Sequence, residues 1–408
     1  MREDPWLEFV RRASEEPGPW LYYERCRSPD RPGASVLLCS RPVEELILQD
    51  PDDLRTAQRW VERATSKEVI GGFLGFDLIG FLEPLLAQTT PRGSPFPPGH
   101  LFRFSRVRRL RREGPAAGAS ASVLGPLEVS SPQDSASPER FQASVERIRQ
   151  DILQGEAFQV VLAHRRQRRR HGTLLPLLDR LRRHERYSAA FYIRGDDGGG
   201  WEVAGASPES VVEVHHDRMA INPIAGTRPV PLLPRGSHRR LPLSSDPKEL
   251  CEHRMLVDLA RNDVGRVSEG GTVRLTHRET LVRYQRVEHM VSRVVGRLRS
   301  DRSAWDAFVA AFPAGTVSGA PKIRATTLLR REERTWRGPY AGAVGVFTGR
   351  RQADLTVAIR TAFASGPHVY TAAGAGVVHQ SDPRQEWEET LHKLATVEGA
   401  LERRPGFR

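Results

Sequence analysis

The stretch YAGAVGVFTGRRQADLTVAIRTAFASGPHVYTAAGAGVV, residues 340–378, decides the fold. It contains three apolar runs, YAGAVGVF, LTVAIRTAF and HVYTAAGAGVV, separated by short turn-forming segments. Runs of this kind predict β-strands, and the short segments between them predict hairpin-like turns. Because parallel strands need a long crossover, usually a helix, between them, this pattern favours antiparallel sheets.

Similar runs occur along most of the chain. Upstream they read ASVLLCS, VIGGFLGFD, FQVVLAHR, SAAFYIR, WEVAGAS, SVVEVHH and RMAINPI. A helix is predicted after residue 137, where Ser137 can cap it, Pro138 suits its first turn and Gly155 ends it. We therefore predict an α+β fold, an α/β sandwich of large, mainly antiparallel β-sheets flanked by helices.

Three regions are expected. Residues 1–113 should contribute strands to the same sandwich, and residues 138–405 should form the catalytic domain. The segment between them, 114–137, is rich in Gly, Ala, Ser and Pro, which predicts a linker or exposed loop.

The chain is basic, with 62 Lys and Arg residues against 50 Asp and Glu residues and a net charge of +12. This balance suits nucleic acid or a small anionic substrate. The densest run, HRRQRRRH at residues 164–171, lacks the interleaved aromatic residues that stack on bases, so we favour a solvated strand end or loop over RNA binding.

Several patterns exclude other classes of protein. No apolar run approaches the ~20 residues of a membrane span, and the N-terminus MREDPWLEFV lacks the apolar region of a signal peptide. The three cysteines lack the spacing of a metal site. We expect a cytoplasmic protein with no membrane or nucleic-acid partner.

Two Glu-x-x-Glu pairs carry the first functional signal: Glu249/Glu252 and Glu386/Glu389. A three-residue spacing places both carboxylates of a pair on one helix face, where they repel. A solvated acidic face is one interpretation of this spacing. The other is that two such faces point at each other and form an oxygen-only site suited to Mg²⁺.

Other segments add candidates. FPAGTVSGAPK, residues 312–322, precedes a helix and could present backbone N–H groups to an anion, or be an ordinary turn. AGAGV, residues 373–377, could let a ligand approach the backbone. Arg360 lies in an otherwise apolar predicted strand and needs a carboxylate partner. His289, predicted on a helix with apolar neighbours, is a core residue or a general base.

Taken together, these segments resemble the chorismate-utilising enzymes, and most closely the large subunit (component I) of anthranilate synthase. The resemblance runs from about residue 141 to the C-terminus and rests on the combination of GEAFQVVLAHR, GASPESVV, NPIAGTRP, DPKELCEHRMLVDLARNDVGRV, RVEHMVSRVVG, FPAGTVSGAPKIRA, YAGAVGVF, AIRTA, AGAGVV and EETLHK. The family's fold, a sandwich of antiparallel sheets with the active site between them, agrees with the strand pattern.

The resemblance implies roles for particular residues. The four glutamates would hold Mg²⁺, which binds the ring carboxylate of chorismate, with Glu252 and Glu389 nearest the metal. Arg360 and Tyr340 match positions that bind the enolpyruvyl carboxylate. Further matches concern substrate contacts and catalysis: Thr316, Gly374, Gly376, Lys393, Ala225, Gly226, Thr227, His289 for pyruvate elimination, and Glu209 as a plausible general acid.

Two positions discriminate among the branches of the family. Relatives that add water to chorismate carry a Lys base where this chain has Gln159, and a Gln cannot deprotonate water. Many aminodeoxychorismate synthases carry a nucleophilic Lys where this chain has Ala225. The resemblance therefore implies direct attack by ammonia.

One departure concerns regulation. The tryptophan site of anthranilate synthases usually contains Leu-Leu-Glu-Ser, whereas this chain has Tyr22–Arg25 there, and Arg186–Ala190 replaces a second motif of that site. These bulky and charged replacements are expected to fill the pocket or repel the effector. We expect no or only weak inhibition by tryptophan.

Several functions remain open at this point. The expected reaction is Mg²⁺-dependent conversion of chorismate and ammonia to anthranilate and pyruvate. Alternatives are a 2-amino-2-deoxyisochorismate synthase, an aminodeoxychorismate synthase lacking the Lys, and an inactive or RNA-binding relative. The chain contains no glutamine amidotransferase signature, so ammonia is expected to come from solution or from a separate small subunit, a glutamine amidotransferase.

Overall fold

The computed structural model describes residues 4–16, 18–26, 33–195, 200–229, 247–284 and 287–402. Its strands are β1 (Trp20–Cys26), β2 (Ala34–Ser40), β3 (Glu44–Leu48), β4 (Val69–Leu74), β5 (Gly99–Phe104), β6 (Arg106–Arg112), β7 (Leu127–Val129), β8 (Gln133–Asp134), β9 (Gln159–Gly172), β10 (Ala189–Gly195), β11 (Trp201–Ser207), β12 (Ser210–His215), β13 (Arg218–Ile221), β14 (Ile224–Pro229), β15 (Arg274–Tyr284), β16 (Val287–Arg297), β17 (Gly319–Ala320), β18 (Ala343–Gly349), β19 (Gln352–Val357), β20 (Thr361–Ser365) and β21 (His368–Val377).

The helices of the same part are α1 (Pro5–Glu15), α2 (Pro51–Arg63), α3 (Ile79–Leu82), α4 (Pro84–Ala87), α5 (Ala121–Leu124), α6 (Pro138–Leu153), α7 (Leu175–His184), α8 (Pro247–Val267), α9 (Ala304–Ala311), α10 (Gly315–Ser318), α11 (Lys322–Glu333) and α12 (Pro383–Glu402). The predicted helix after residue 137 is α6, and the Ser137 side chain accepts a hydrogen bond from the Arg140 N–H at 3.3 Å. Among the described residues, no helix is long and apolar enough to cross a membrane.

The strands form two large sheets. The first has 11 strands in the order β17-β9-β21-β20-β11-β10-β1-β2-β6, with β7 and β8 also paired to β9. The second has 10 strands in the order β14-β16-β13-β12-β19-β18-β4-β5-β3, with β15 paired to β16. Neighbouring strands run antiparallel, as the sequence predicted.

The first 113 residues contribute to both sheets. Strands β1, β2 and β6 extend one edge of the first sheet, and β3, β4 and β5 extend the second. The segment 114–137 is largely exposed, but it contains the short strands β7 and β8, which lie along β9.

Side chains alternate between two cores because successive residues of a strand face opposite sides. On β1, Leu21 and Tyr23 belong to the core between the sheets, whereas Tyr22 belongs to an outer core under α1, α7 and α12. Across the inner core, the ring of Phe73 meets that of Trp201 edge-on at 4.9 Å. Both side chains are buried, and truncating such an aromatic residue to Ala typically costs about 3–5 kcal/mol.

The basic run at residues 164–171 lies within β9, and several of its arginines have partners inside the protein. Arg165 stacks on Trp336 at 3.6 Å, Arg168 pairs with Glu398, and Arg170 pairs with Glu202. Much of the positive charge of this run is therefore paired with carboxylates or an aromatic ring of the same chain.

Two local predictions were wrong. His289 lies on strand β16 and not on a helix, because Met290, Ser292 and Val294 alternate into the core with the period of two of a strand. Arg360 does not lie inside a strand but in a bend between β19 and β20, with a left-handed φ of 50°. The chain crosses from the second sheet to the first at this bend, which interrupts the apolar run LTVAIRTAF.

Candidate active site

The end of β21 forms the floor of the candidate site. Strand β21 pairs with β9, and Gly376 lies opposite Val161. A β-carbon on Gly376 would lie 2.7 Å from Nε2 of Gln159, the first residue of β9, so glycine lets this side chain cross the strand. The two glycines predicted to contact substrate, Gly374 and Gly376, therefore share a strand end with Gln159.

Gln159 connects this floor to helix α8. Its Nε2 donates a hydrogen bond to Oε1 of Glu252 at 2.8 Å. Because an ionised carboxylate can only accept hydrogen bonds, the amide nitrogen of Gln159 must face Glu252. The amide oxygen, Oε1, therefore points away from Glu252. Gln159 is 2% exposed, and its Oε1 has no hydrogen-bond partner among the described residues. A buried carbonyl oxygen without a partner is rare in folded proteins, and at this position it is an acceptor suited to a ligand N–H.

Helix α12 reaches the same floor from another direction. Lys393 donates to the carbonyl oxygen of Gly374 at 2.9 Å, and its ammonium lies 2.6 Å from a carboxylate oxygen of Glu389. The side chains of Lys393 and Glu389 are 44% and 48% exposed, so this side of the site is open to solvent. Both Glu-x-x-Glu helices thus approach the end of β21.

The four glutamates are suited to Mg²⁺ by chemistry. Glu249 and Glu252 lie on α8, and Glu386 and Glu389 lie on α12. Within the described ranges, no three His, Cys, Asp or Glu side chains lie close enough together to enclose a metal ion. Mg²⁺ is commonly held by only one or two carboxylates together with water and substrate oxygens, so this arrangement is compatible with a magnesium site.

Glu209 is a buried carboxyl next to this cluster. It lies just after β11 and is 8% exposed, and burial raises its pKa to about 7. A hydrogen bond donated by the Thr316 hydroxyl and the positive charge of Lys393 oppose this rise in the pKa. A carboxyl that is partly protonated near neutral pH can act as a general acid.

Tyr340 and Arg360 are connected to Glu209 through the backbone. The turn that follows Tyr340 pairs with Ala358, because Ala341 N–H donates to the Ala358 oxygen at 3.0 Å. Val357 N–H donates to the Glu209 oxygen at 3.0 Å. The Arg360 guanidinium lies 3.9 Å from a carboxylate oxygen of Glu185, with 21% of its side chain exposed.

The structure places the remaining predicted residues on the neighbouring sheet. His289 is buried on β16, a strand against which α8 packs, and lies opposite Val282. Ala225, Gly226 and Thr227 belong to β14, which pairs with β16, but their side chains lie outside the described part.

Sequence reasoning missed Arg337, which braces the site. Its guanidinium donates to the Val317 and Val161 carbonyl oxygens, each at 2.7 Å, and pairs with Glu333. These contacts fix the turn that carries Thr316 against β9. Arg337 is 4% exposed, and its role depends on contacts between segments far apart in the chain, so no local pattern could have indicated it.

A buried ion pair was also missed. Lys322 donates to Oδ2 of Asp263 at 2.7 Å and to the Ala311 oxygen at 2.9 Å. The pair anchors the end of the 312–322 segment to α8, and only the scarcity of lysine in the chain distinguished Lys322 in the sequence. Lys322 therefore has a structural partner and is not left to bind an anion.

The segment Tyr22–Arg25 has two different environments. Glu24 is fully buried and accepts hydrogen bonds from Arg112 at 2.9 Å and from Arg182 at 2.8 Å, which lower its pKa to about 2. Glu24 is thus part of the packing under α7.

Arg25 lines a cavity of about 630 Å³ together with Ser188 of the second altered motif. Arg25 forms ion pairs with Glu213 and Asp354, which also line this cavity. A cavity therefore remains beside these replacements, and the charged side chains of Arg25, Glu213 and Asp354 that line it are paired with one another.

Comparisons with known proteins identify the family of the chain. Residues 30–399 match the model of the chorismate binding enzyme family. The chain is 42% identical over 294 residues to anthranilate synthase component 1 of Methanothermobacter thermautotrophicus, covering 72% of this chain and 61% of that protein. It is 39% identical over 310 residues to the component 1 of Streptomyces coelicolor, covering 74% and 60% respectively. It thus spans about three fifths of the length of these relatives.

Solved structures show the same fold. Anthranilate synthase component I from Streptococcus pneumoniae superposes with a TM-score of 0.76 at 28% identity, over 91% of this chain and 93% of that one. A menaquinone-specific isochorismate synthase from Escherichia coli superposes with a TM-score of 0.73 at 20% identity, over 96% and 91%.

The fold is an antiparallel sandwich, and polar side chains of β9, α8 and α12 gather at the end of β21. The chain belongs to the chorismate binding enzyme family.

Proposed function

We propose that this protein converts chorismate and ammonia to anthranilate, pyruvate and water. The observation that carries the proposal is the hydrogen bond from Gln159 to Glu252, which leaves Gln159 Oε1 as a buried acceptor. Ammonia has N–H groups that Oε1 can accept while its lone pair remains available for attack. A neutral amide cannot serve as the base that water would need.

Glu209 supplies the acid for the first step. Ammonia forms a bond to C2 of the ring as the double bond shifts and the C4–O bond breaks. Glu209 donates a proton to the departing hydroxyl, which leaves as water, and the new amine loses one proton. The ring then loses the C2 proton as the C3–O bond breaks, the enolpyruvyl group gains one proton at its methylene carbon, and the products are pyruvate and the aromatic ring.

The remaining side chains bind and orient the substrate. Arg360 and Tyr340 are proposed to hold the enolpyruvyl carboxylate, with Arg360 exchanging its 3.9 Å contact to Glu185 for the ligand. Glu249, Glu252, Glu386 and Glu389 would hold Mg²⁺. When bound, this ion would neutralise the ring carboxylate.

Ammonia is proposed to come from a separate glutamine amidotransferase subunit. The basis is sequence alone, since no segment of the chain carries the amidotransferase nucleophile motif. The isolated chain should therefore use ammonium salts but not glutamine.

One experiment tests the function. The chain is incubated with chorismate, Mg²⁺ and either ammonium or glutamine at mildly alkaline pH, and products are identified by mass and fluorescence. Anthranilate from ammonium alone is expected. A product that stops at aminodeoxyisochorismate would place the chain with the synthases that omit elimination. Isochorismate, or turnover with glutamine, would contradict the proposal.

A further inference from the structure

A small cavity lies behind the candidate general acid. It has a volume of about 30 Å³ and is lined by Glu209, Thr316, Ser210 and Asn222, by Asp263, which is ion-paired with Lys322, and by apolar residues of α8 such as Leu256 and Ala260. A cavity needs only ~10–15 Å³ and two to four polar partners to hold a water molecule. The carboxyl, two hydroxyls and amide of these residues meet that condition.

A second cavity adjoins the first one. Ser210 and Asn222 also line the cavity of about 630 Å³, whose other lining residues include the exposed residues Ser35 and His215. Of the described residues that line the two cavities, Ser210 and Asn222 are shared, so they lie at the boundary between a water-sized chamber and a larger space that reaches the surface.

The hydrogen bonds at this boundary have a defined direction. Asn222 Nδ2 donates to Ser210 Oγ at 3.0 Å and to Oε1 of Glu213 at 2.8 Å. Arg293 donates to Asn222 Oδ1 at 2.8 Å, which confirms the amide orientation. Since Ser210 Oγ accepts from Asn222, its own proton remains available to donate toward the small cavity.

The proposed chemistry requires such a path. Each turnover removes one proton from Glu209 and releases one water molecule at C4. Glu209 is buried, and bound substrate would separate it from the solvent-exposed side of the site near Lys393 and Glu389. A path on another side of Glu209 would let the proton return and the water leave while substrate is bound.

We propose that the cavity behind Glu209 holds a water molecule that, with the Ser210 hydroxyl, returns a proton to Glu209 and carries leaving-group water to the outer cavity. The inference rests on the proposed function, in which Glu209 protonates the C4 hydroxyl. In the relay, Ser210 Oγ donates its proton to the cavity water and receives one from water in the outer cavity. The cavity water passes a proton to the Glu209 carboxylate, so no net charge accumulates.

The central variant is Ser210→Ala, which removes the relay hydroxyl and keeps both cavities. It should lower kcat about tenfold, enlarge the solvent deuterium isotope effect on kcat, and leave the KM for chorismate within about twofold. Ser210→Thr retains a hydroxyl and should recover most of the lost rate.

Ser207→Ala is the matched control. Ser207 is also a buried serine, and within the described part of the chain its hydroxyl hydrogen-bonds with the backbone of Glu209, at 3.3 Å. This variant should show an unchanged isotope effect. An equal response of the Ser207 and Ser210 variants would overturn the relay and indicate a structural effect on Glu209.

A second measurement does not depend on turnover. A high-resolution crystal structure of the wild-type chain should show an ordered water within hydrogen-bond distance of a Glu209 oxygen and Ser210 Oγ. A dry cavity, or a Ser210→Ala enzyme with wild-type kcat and isotope effect, would overturn the proposal. Failure of the proposed function can be distinguished from failure of the relay, because the wild-type enzyme would then form no aminated product.

Discussion

Gln159 on β9 donates a hydrogen bond of 2.8 Å to Glu252 on α8, a residue 93 positions later in the chain. This contact joins the residue proposed to distinguish ammonia from water as nucleophile to a proposed ligand of Mg²⁺. The proposed nucleophile site and the proposed metal site would therefore be neighbours, and a change in one should be detected in the other.

Glu252→Gln removes one anionic oxygen donor and preserves the side-chain volume. We expect activity to fall by at least about 100-fold, which is more than the loss typical for a residue that contacts only a metal ligand. The Mg²⁺ concentration needed for half-maximal activity should rise. Thermal unfolding should change little, because Glu252 is only partly buried. Glu388→Gln on α12 is the control, since Glu388 is exposed and paired with Arg384. Near-wild-type activity of the Glu252 variant would remove this residue from the metal site.

Gly376→Ala tests the floor of the site. The added β-carbon would lie 2.7 Å from Nε2 of Gln159 and 3.7 Å from Oε1 of Glu252, so it must displace their hydrogen bond. We expect kcat/KM for ammonium to fall about tenfold or more. Gly265→Ala on α8 meets no atom within 4 Å and should retain activity. An unaffected Gly376 variant would show that the position of Gln159 is not important for the reaction.

The rate should depend on pH through Glu209, whose pKa burial raises to about 7. Because the protonated form is the acid, the rate normalised to free ammonia should fall as pH rises through about 7. Lys393→Met removes the charge that lowers the pKa of Glu209, so the fall should move to higher pH. Steady-state rates measured across pH check this, and a profile that is flat through neutrality would argue against Glu209 as the acid.

The same carboxyl links stability to pH. Its pKa in the folded protein, about 7, lies above the usual value of 4.5, so the folded state binds the proton more tightly than the unfolded state. This contribution is fully present below about pH 4.5 and is lost as pH rises through 7. Glu209→Gln should therefore gain stability relative to wild type over this range, as measured by denaturant unfolding at several pH values. A constant difference between the two proteins would contradict the shift.

Arg337→Met should destabilise the fold strongly. It leaves Glu333, a buried carboxylate whose side chain is 2% exposed, without its ion-pair partner, and such a loss typically costs about 3–5 kcal/mol. Arg384→Met is the control, because Arg384 pairs with Glu388 through side chains that are 79% and 48% exposed. Its loss should cost about 1 kcal/mol or less. Chemical denaturation measures both, and equal effects would exclude a special role for the Arg337 brace.

Tryptophan should inhibit weakly or not at all. The cavity near the altered motifs is lined by the ion-paired side chains of Arg25, Glu213 and Asp354. An indole placed there would desolvate these charges without replacing their partners. Steady-state assays with micromolar tryptophan check this, and clear inhibition would contradict it.

The sequence by itself determined the sheet class, the helix at residues 138–153 and the spacing of the glutamates. These features depend on local periodicity, turn residues and helix caps, which are readable over a few turns of chain. The alternation of buried and partly exposed residues along β16 is also a local pattern, but this segment was assigned to a helix from its sequence.

Only the tertiary structure decided which of these segments meet. The contact between Gln159 and Glu252, the brace at Arg337 and the bend at Arg360 depend on how strands distant in sequence pair and cross between sheets. The raised pKa of Glu209 has the same origin, because its burial, and the charge of Lys393 that opposes the rise, are properties of the packed molecule. The sequence determined the types of side chain available, and the packing of the sheets against α8 and α12 decided which of them form one site.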